Sequence, residues 1–322
     1  MKRSAFTLIE LIFVIVIFGI ISMFGADLYT KIYESYAHTR AVNQLEARTM
    51  NAITIISARL EDRIKGTVIA RKSSDNSFVD IRSASQTHDI IEWIGQSVES
   101  KNLVPTGSPA DPASSVGWSG FADVYHLSGA TLGANFNFTS QGSHFNGVDA
   151  VIKNLRNNAA DGSFGIIFKD RIAIDLVDDA YGYDLSTFNN DFVGTAAGNN
   201  EVIAINYPVR AFDPGISEQY YLAHSAYAIV PTNHTEPYLG PSGNEVAEWN
   251  FDLALHYNYE PWSREAYNDA NASTAIMVRD VSLFRFRNDD GAIALKLCLR
   301  DAGRNFNPEE LDLIVCKSQV VY

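Results

Sequence analysis

This 322-residue chain has only two cysteines, no proline before Pro105 and a single charged side chain between Phe6 and Phe24, and each scarcity excludes something. Two cysteines are too few for a disulfide-built scaffold or a thiolate metal cluster. Without proline, nothing in the first hundred residues forces a helix to break. Common catalytic signatures are also missing: there is no Gly-x-Ser-x-Gly, His-Glu-x-x-His, Gly-Lys-Ser/Thr, Cys-x-x-Cys or Ser-x-x-Lys. The seven histidines are scattered, with His38 expected on an exposed helix face and His224 and His256 in strands. We therefore expect no enzyme.

Positive charge is scarce in one region. The net charge is -13, but residues 66 to 278 hold 25 acids against 10 bases, and Arg264 is the only Lys or Arg from 211 to 278. Such a surface repels phosphate backbones, so bulk nucleic-acid binding is not expected there, which leaves room for a small basic patch elsewhere. Hydrophobic residues make up 46% and charged residues 20%, as in an ordinary folded chain.

What is present begins at the start. Met-Lys-Arg-Ser-Ala runs into FTLIELIFVIVIFGIISMF, nineteen mainly apolar residues, enough to cross a bilayer as a helix. Lys2 and Arg3 precede it, so the positive-inside rule sends residues after about 25 across the inner membrane. The one charge in the stretch is Glu10, and an acid in hydrocarbon is costly enough to ask for a reason. A secretory signal would end in small-x-small, which Ser22-Met23-Phe24-Gly25-Ala26 does not supply. A plain signal anchor would not need Glu10.

A short basic leader, a small residue, then Phe-Thr-Leu-Ile-Glu opening a long apolar helix resembles the type IV pilin superfamily, which includes minor pilins and type II secretion pseudopilins. The resemblance implies that a prepilin peptidase cuts between Ala5 and Phe6 and methylates the Phe6 amine. Ala5 stands where the family usually has Gly, and the proline common in the family's first helix is absent. The new Phe6 amine would lie one helical turn from Glu10, within the chain or on a staggered neighbour, so a matched register pairs the charges and a mismatched one strands them in lipid. The resemblance also implies sister subunits, an inner-membrane assembly platform and a membrane-anchored head facing the periplasm.

Residues 1–5 thus read as a cytoplasmic leader and 6–65 as one helix with a transmembrane part at about 6–25. Apolar residues continue at helical spacing from Leu28 and Tyr29 to Leu60 and Ile64, and Gly66 is a plausible stop. Residues 66–322 read as a β-rich head. Expected strands lie at 67–71, 164–169, 171–177, 201–210, 219–230, 249–259, 275–287, 291–299 and 312–322, with helices at 88–99 and 147–157 and a loop at 104–120. Asn288-Asp289-Asp290-Gly291 marks a hairpin turn, after which Ile293, Leu295, Leu297 and Leu299 share one face. The fold class is α+β: a long helix packed on an antiparallel sheet, pilin-like with large insertions.

Four smaller expectations follow. Cys298 and Cys316 lie in strands of an exported head, which suits a disulfide, with two buried thiols as the alternative. Asp175, Asp178, Asp179 and Asp184 are candidate calcium ligands, although a solvated acidic loop accounts for them as well and no other cofactor is expected. Asp269-Ala270-Asn271-Ala272-Ser273 resembles a bacterial oligosaccharyltransferase acceptor at Asn271. Aromatic residues from Tyr220 to Tyr267 fill sheet faces or, around Pro261, form a partner surface from Tyr257, Tyr259 and Trp262. A head of about 257 residues suits a minor subunit better than a closely repeated one, with a major fibre subunit or a tip adhesin as the alternative and a signal-anchored periplasmic enzyme behind both.

Overall fold

A computed structural model describes residues 7–105, 114–128, 136–156, 163–169, 181–186, 193–206, 216–235, 250–301 and 313–322. One helix dominates its start. α1 runs Leu8–Glu61, 54 residues and about 80 Å. No proline interrupts it, and its only glycines, Gly19 and Gly25, lie in the apolar stretch. It stops four residues short of the expected 65, because the backbone at 62–64 turns onto the sheet: Ile64 N–H donates to Ile94 O at 2.9 Å and Gln96 N–H to Asp62 O at 2.8 Å. Gly66 takes φ 89° in the turn that follows.

The strands are β1 Ile69–Arg71, β2 Phe78–Asp80, β3 Ile90–Gly95, β4 Leu103–Pro105, β5 Ser114–Val116, β6 Phe136–Thr139, β7 Phe164–Phe168, β8 Gly194–Asn199, β9 Val202–Asn206, β10 Tyr220–Ala223, β11 Ser225–Thr235, β12 Asn250–Tyr259, β13 Ser273–Asp289, β14 Ala292–Arg300 and β15 Ile314–Val321. Two further helices are α2 Val98–Lys101 and α3 Phe145–Leu155. All strand pairs are antiparallel, in an eight-stranded sheet ordered β15-β14-β13-β12-β11-β3-β1-β2, a five-stranded sheet ordered β10-β7-β8-β9-β6, and the β4-β5 pair. The class is α+β, as expected.

One expected element is wrong in kind. Residues 88–99 hold β3 and the start of α2, not an amphipathic helix. Ile90, Ile91, Trp93 and Ile94 fit helical spacing, but all are buried because β3 lies inside the sheet between β1 and β11 with both faces covered. The expected strand at 171–177 lies outside the described residues. The expected loop at 104–120 is closed at its base by β4 and β5, with Leu103 opposite Val116.

The core divides by sheet face. Leu45, Ile53, Ile56 and Leu60 of α1 pack with Trp93, Leu253, Phe284 and the row Ile293, Leu295, Leu297 and Leu299 on one face of the large sheet. Its other face carries Ile69, Ile90 and Ile94 under Tyr181, Tyr183, Tyr259 and Trp262. The five-stranded sheet closes with α3 around Phe138, Phe145, Phe164 and Ile203. The chain passes from β10 to β11, and so from one sheet to the other, through His224 alone. Gly182 makes one close approach possible: it has φ +84°, and a Cβ there would stand 2.4 Å from Pro261 O.

Candidate functional site

Glu10 sits in the first turn of α1, three residues after Thr7. Its Oε2 accepts from the Thr7 backbone N–H at 3.0 Å and from Thr7 Oγ1 at 2.9 Å. Thr7-Leu8-Ile9-Glu10 is the Thr-x-x-Glu spacing of a capping box, in which an acid at the third helical position satisfies an otherwise orphaned donor. That signal was present in the sequence. It gives Glu10 a role inside its own chain besides any role toward a neighbour. Ala5 and Phe6 lie outside the described residues.

Beyond this cap, α1 has two unlike halves. Every residue from Thr7 to Tyr36 is exposed, including Phe13, Ile17, Phe18 and Phe24, and α1 is the one described helix long and apolar enough to cross a membrane. Burial begins at Ala41 and recurs at Leu45, Thr49, Ala52, Ile53, Ile56 and Leu60. At roughly 100° per residue, Tyr29, Ile32, Tyr33 and Tyr36 point away from that seam, on about the opposite side of the helix, with Leu28 to one flank. The apolar spacing from 28 to 64 is therefore not one stripe: its early part faces away from the head and its later part faces the sheet.

Salt bridges at the edge of the seam fix the helix on the sheet: Arg48 bonds Asp280 at 3.1 Å, and Lys317 pairs with Glu46. At its end Arg63, which is buried, donates to Leu60 O at 2.7 Å and to Gly291 O, Val321 O and Tyr322 O at 3.3 Å each. One guanidinium thus joins the end of α1 to the β13–β14 turn and the end of β15. Burial pushes its pKa down.

The remaining candidates are placed as follows. Cys298 and Cys316 are directly opposite in β14 and β15 and form a disulfide. Asp175, Asp178 and Asp179 lie outside the described residues. Asp184 accepts from the Ser186 backbone at 2.8 Å and hydroxyl at 2.6 Å, and it borders a cavity of about 200 Å³ beside Arg71, Glu92 and Glu265. Arg71 and Glu92 pair at 2.9 Å with both side chains buried. Among the described residues no three His, Cys, Asp or Glu side chains gather as a metal site. Asn271 is exposed in the turn before β13.

The suggested aromatic partner surface is not one. Tyr259 is 0% and Trp262 2% exposed, because the loop after β12 folds them onto the sheet, and only Tyr257 is partly accessible. The three named histidines serve packing or solvent. His38 is exposed, His256 Nδ1–H donates to Tyr267 O at 2.7 Å, and His224 is buried against Ser97 Oγ at 2.8 Å.

Residues 1–26 match the family model described as the prokaryotic N-terminal methylation motif. No curated protein matches this chain. No solved structure matches it either. The chain thus carries a prepilin-type N-terminal motif at the head of a long apolar helix, a combination consistent with the type IV pilin and pseudopilin superfamily. The motif implies processing by a prepilin peptidase and assembly with other pilin-type subunits, and it points to a structural protein rather than an enzyme.

Proposed function

We infer that this chain is a structural subunit of a type IV pilus or type II secretion pseudopilus, anchored in the inner membrane by α1 and carrying its head on the periplasmic side until it enters the fibre. The observation that carries this reading is the motif at 1–26 on a helix whose first 30 described residues are all exposed. A helix so apolar needs a cover, which the bilayer supplies before assembly and sister helices supply after it. The outward set of Tyr29, Ile32, Tyr33 and Tyr36 extends that contact surface beyond the lipid.

In this reading Ala5–Phe6 is the cleaved bond, Phe6 carries the methyl group and Glu10 sets the register between neighbours. Assembly by helix packing needs no cofactor. The head's size supports a minor subunit, since about 257 residues are placed rarely more easily than they are repeated along a tight fibre. Intact-mass measurement of the membrane-extracted protein tests the processing. The expected species begins at Phe6 with one added methyl, and a chain beginning at Met1 or after residue 20 would overturn the reading.

A further inference from the structure

The hairpin of β13 and β14 has one face on α1 and one turned away from it. Phe284 and Phe286 face the core, so Leu283, Arg285 and Arg287 lie on the outer face, and on β14 the outer set is Ala294, Lys296 and Cys298. Arg285 is directly opposite Lys296, which is opposite Ser318 of β15, while Arg287 is opposite Ala294. Arg285, Arg287 and Lys296 are all exposed. Among the described residues none of the three is in an ion pair, and the hairpin's own Asp289 and Asp290 sit at its turn without reaching them.

This arrangement costs the isolated chain something. Residues directly opposite across a strand pair have Cβ atoms about 5 Å apart, and like charges so placed are destabilising. They do so in a protein of net charge -13, where acids to intersperse are abundant. The residues opposite Arg287 and Lys296, Ala294 and Ser318, are small, and the Arg285 guanidinium donates to Phe284 O at 3.1 Å.

We propose that this outer face, built by Arg285, Arg287 and Lys296, is a lateral docking surface for the acidic face of a neighbouring subunit in the fibre. The proposal rests on the fibre-subunit reading. Charge selects an acidic partner, and magnitude selects a tethered one. Each exposed ion pair multiplies an association constant by roughly 1.4 to 5, so three give about 100-fold at most, too little to hold a ligand arriving from solution. A neighbour already fixed through its own helix is present at an effective concentration near millimolar, where such a factor decides orientation. A long polyanion is disfavoured, because only three cations meet it while the rest of the head repels it.

The test uses the full-length chain in native membranes and in sheared fibres, treated with a carbodiimide that joins an amine to a carboxylate in contact with it. The expected result is a Lys296 peptide joined to an Asp or Glu peptide of another fibre subunit, with the yield falling as salt is raised to about 0.5 M. Lys296→Arg should lose the cross-link and keep fibre recovery. The triple variant Arg285→Gln/Arg287→Gln/Lys296→Gln should keep or slightly raise its melting temperature, since opposed like charges are removed, and fall about fivefold or more in fibre recovery relative to membrane level. The proposal is overturned if Lys296 forms no intermolecular cross-link in fibres where other lysines do, if the triple variant is recovered like wild type, or if the patch retains a duplex oligonucleotide and no subunit. If the wild-type chain itself is absent from fibres, the fibre-subunit reading fails and this inference goes with it. If the wild type is present and only the patch results fail, the reading stands alone.

Discussion

The two halves of α1 have the same backbone and opposite needs. From Ala41 onward the helix is held by the sheet it packs on, whereas up to Tyr36 its side chains are all exposed, and their described hydrogen bonds stay within the helix's own turns. Helix propensity does not explain the difference, since Ile and Val are mediocre helix formers and they crowd the exposed half. What differs is where the cover comes from. The later half is stabilised by its own fold, so changes there should register as lost stability. The earlier half is stabilised by lipid or by other chains, so changes there should register as lost assembly with the head intact.

The sharpest way to break that contrast is a cavity in the seam. Leu60 and Ile56 are both fully buried. Leu60→Ala should cost about 2–5 kcal/mol of head stability, by lost burial plus the cavity left behind. Phe18→Ala, in the exposed half, should leave the unfolding transition of the head where it was. Denaturant titration of the detergent-solubilised chain, followed by tryptophan fluorescence, separates the two, and equal losses would show that the halves are not independent.

The next effect concerns the strand α1 covers most directly. The Cys298–Cys316 bond closes a loop across a sequence separation of 18 and ties β15, the outermost strand, to β14. In the chain-entropy account such a closure stabilises by roughly 3 kcal/mol. Cys298→Ala/Cys316→Ala should lower the melting temperature of the head by several degrees and leave the exposed half of α1 inserted. A double variant melting like wild type would mean that the seam alone holds β15.

How far all this could be read from the sequence depended on whether the signal was local. The hairpin was legible because Asp290 and Gly291 both adopt positive φ, as an Asp-Gly turn requires, and the apolar alternation after it matches the pleat. β3 was misread because Ile90, Ile91, Trp93 and Ile94 satisfy two periodicities, and only their β-branched and aromatic character favoured a strand. β8, Gly194–Asn199, was missed because Gly-Thr-Ala-Ala-Gly-Asn has almost no strand propensity and exists by pairing with β7 and β9. At the N-terminus the motif is plain, but the charge of Glu10 points to the Phe6 amine, of its own chain or a neighbour's, while the bonds it makes are to Thr7, a partner written in the Thr-x-x-Glu spacing. The reversal of the apolar face between Tyr36 and Ala41 appears only once the position of the sheet is known.

A change of pH probes the junction of the two sheets in the head. Burial pushes the pKa of His224 down to about 4 from 6.5, opposed by the nearby Glu99 and reinforced by Arg156 and Arg59. The folded chain therefore binds this proton less readily than the unfolded chain. The stability tied to neutral His224 is complete above about pH 6.5 and is lost as pH falls toward 4, on the order of 3 kcal/mol at most. Since His224 is the lone link between β10 and β11, acid should loosen the junction of the two sheets first. His224→Gln should flatten melting temperature against pH over that window, and an unchanged slope would place the acid sensitivity elsewhere.

The smallest effect on stability should accompany the largest effect on assembly, at Glu10. Its hydrogen bonds to Thr7 cap one helix end, so Glu10→Ala should fray the first turn of α1 and leave the stability of the head unchanged. Glu10→Gln separates the two roles of the acid, because a carboxamide oxygen still accepts from the Thr7 N–H but carries no charge to meet a neighbour's Phe6 amine. If Glu10 directs register, both variants should insert, be processed and fold, and both should be depleted from sheared fibres relative to their membrane level. If the cap is what matters, Glu10→Gln should assemble like wild type and only Glu10→Ala should fail. Wild-type recovery of both would remove Glu10 from assembly altogether, leaving the exposed half of α1 to find its partners by apolar contact alone.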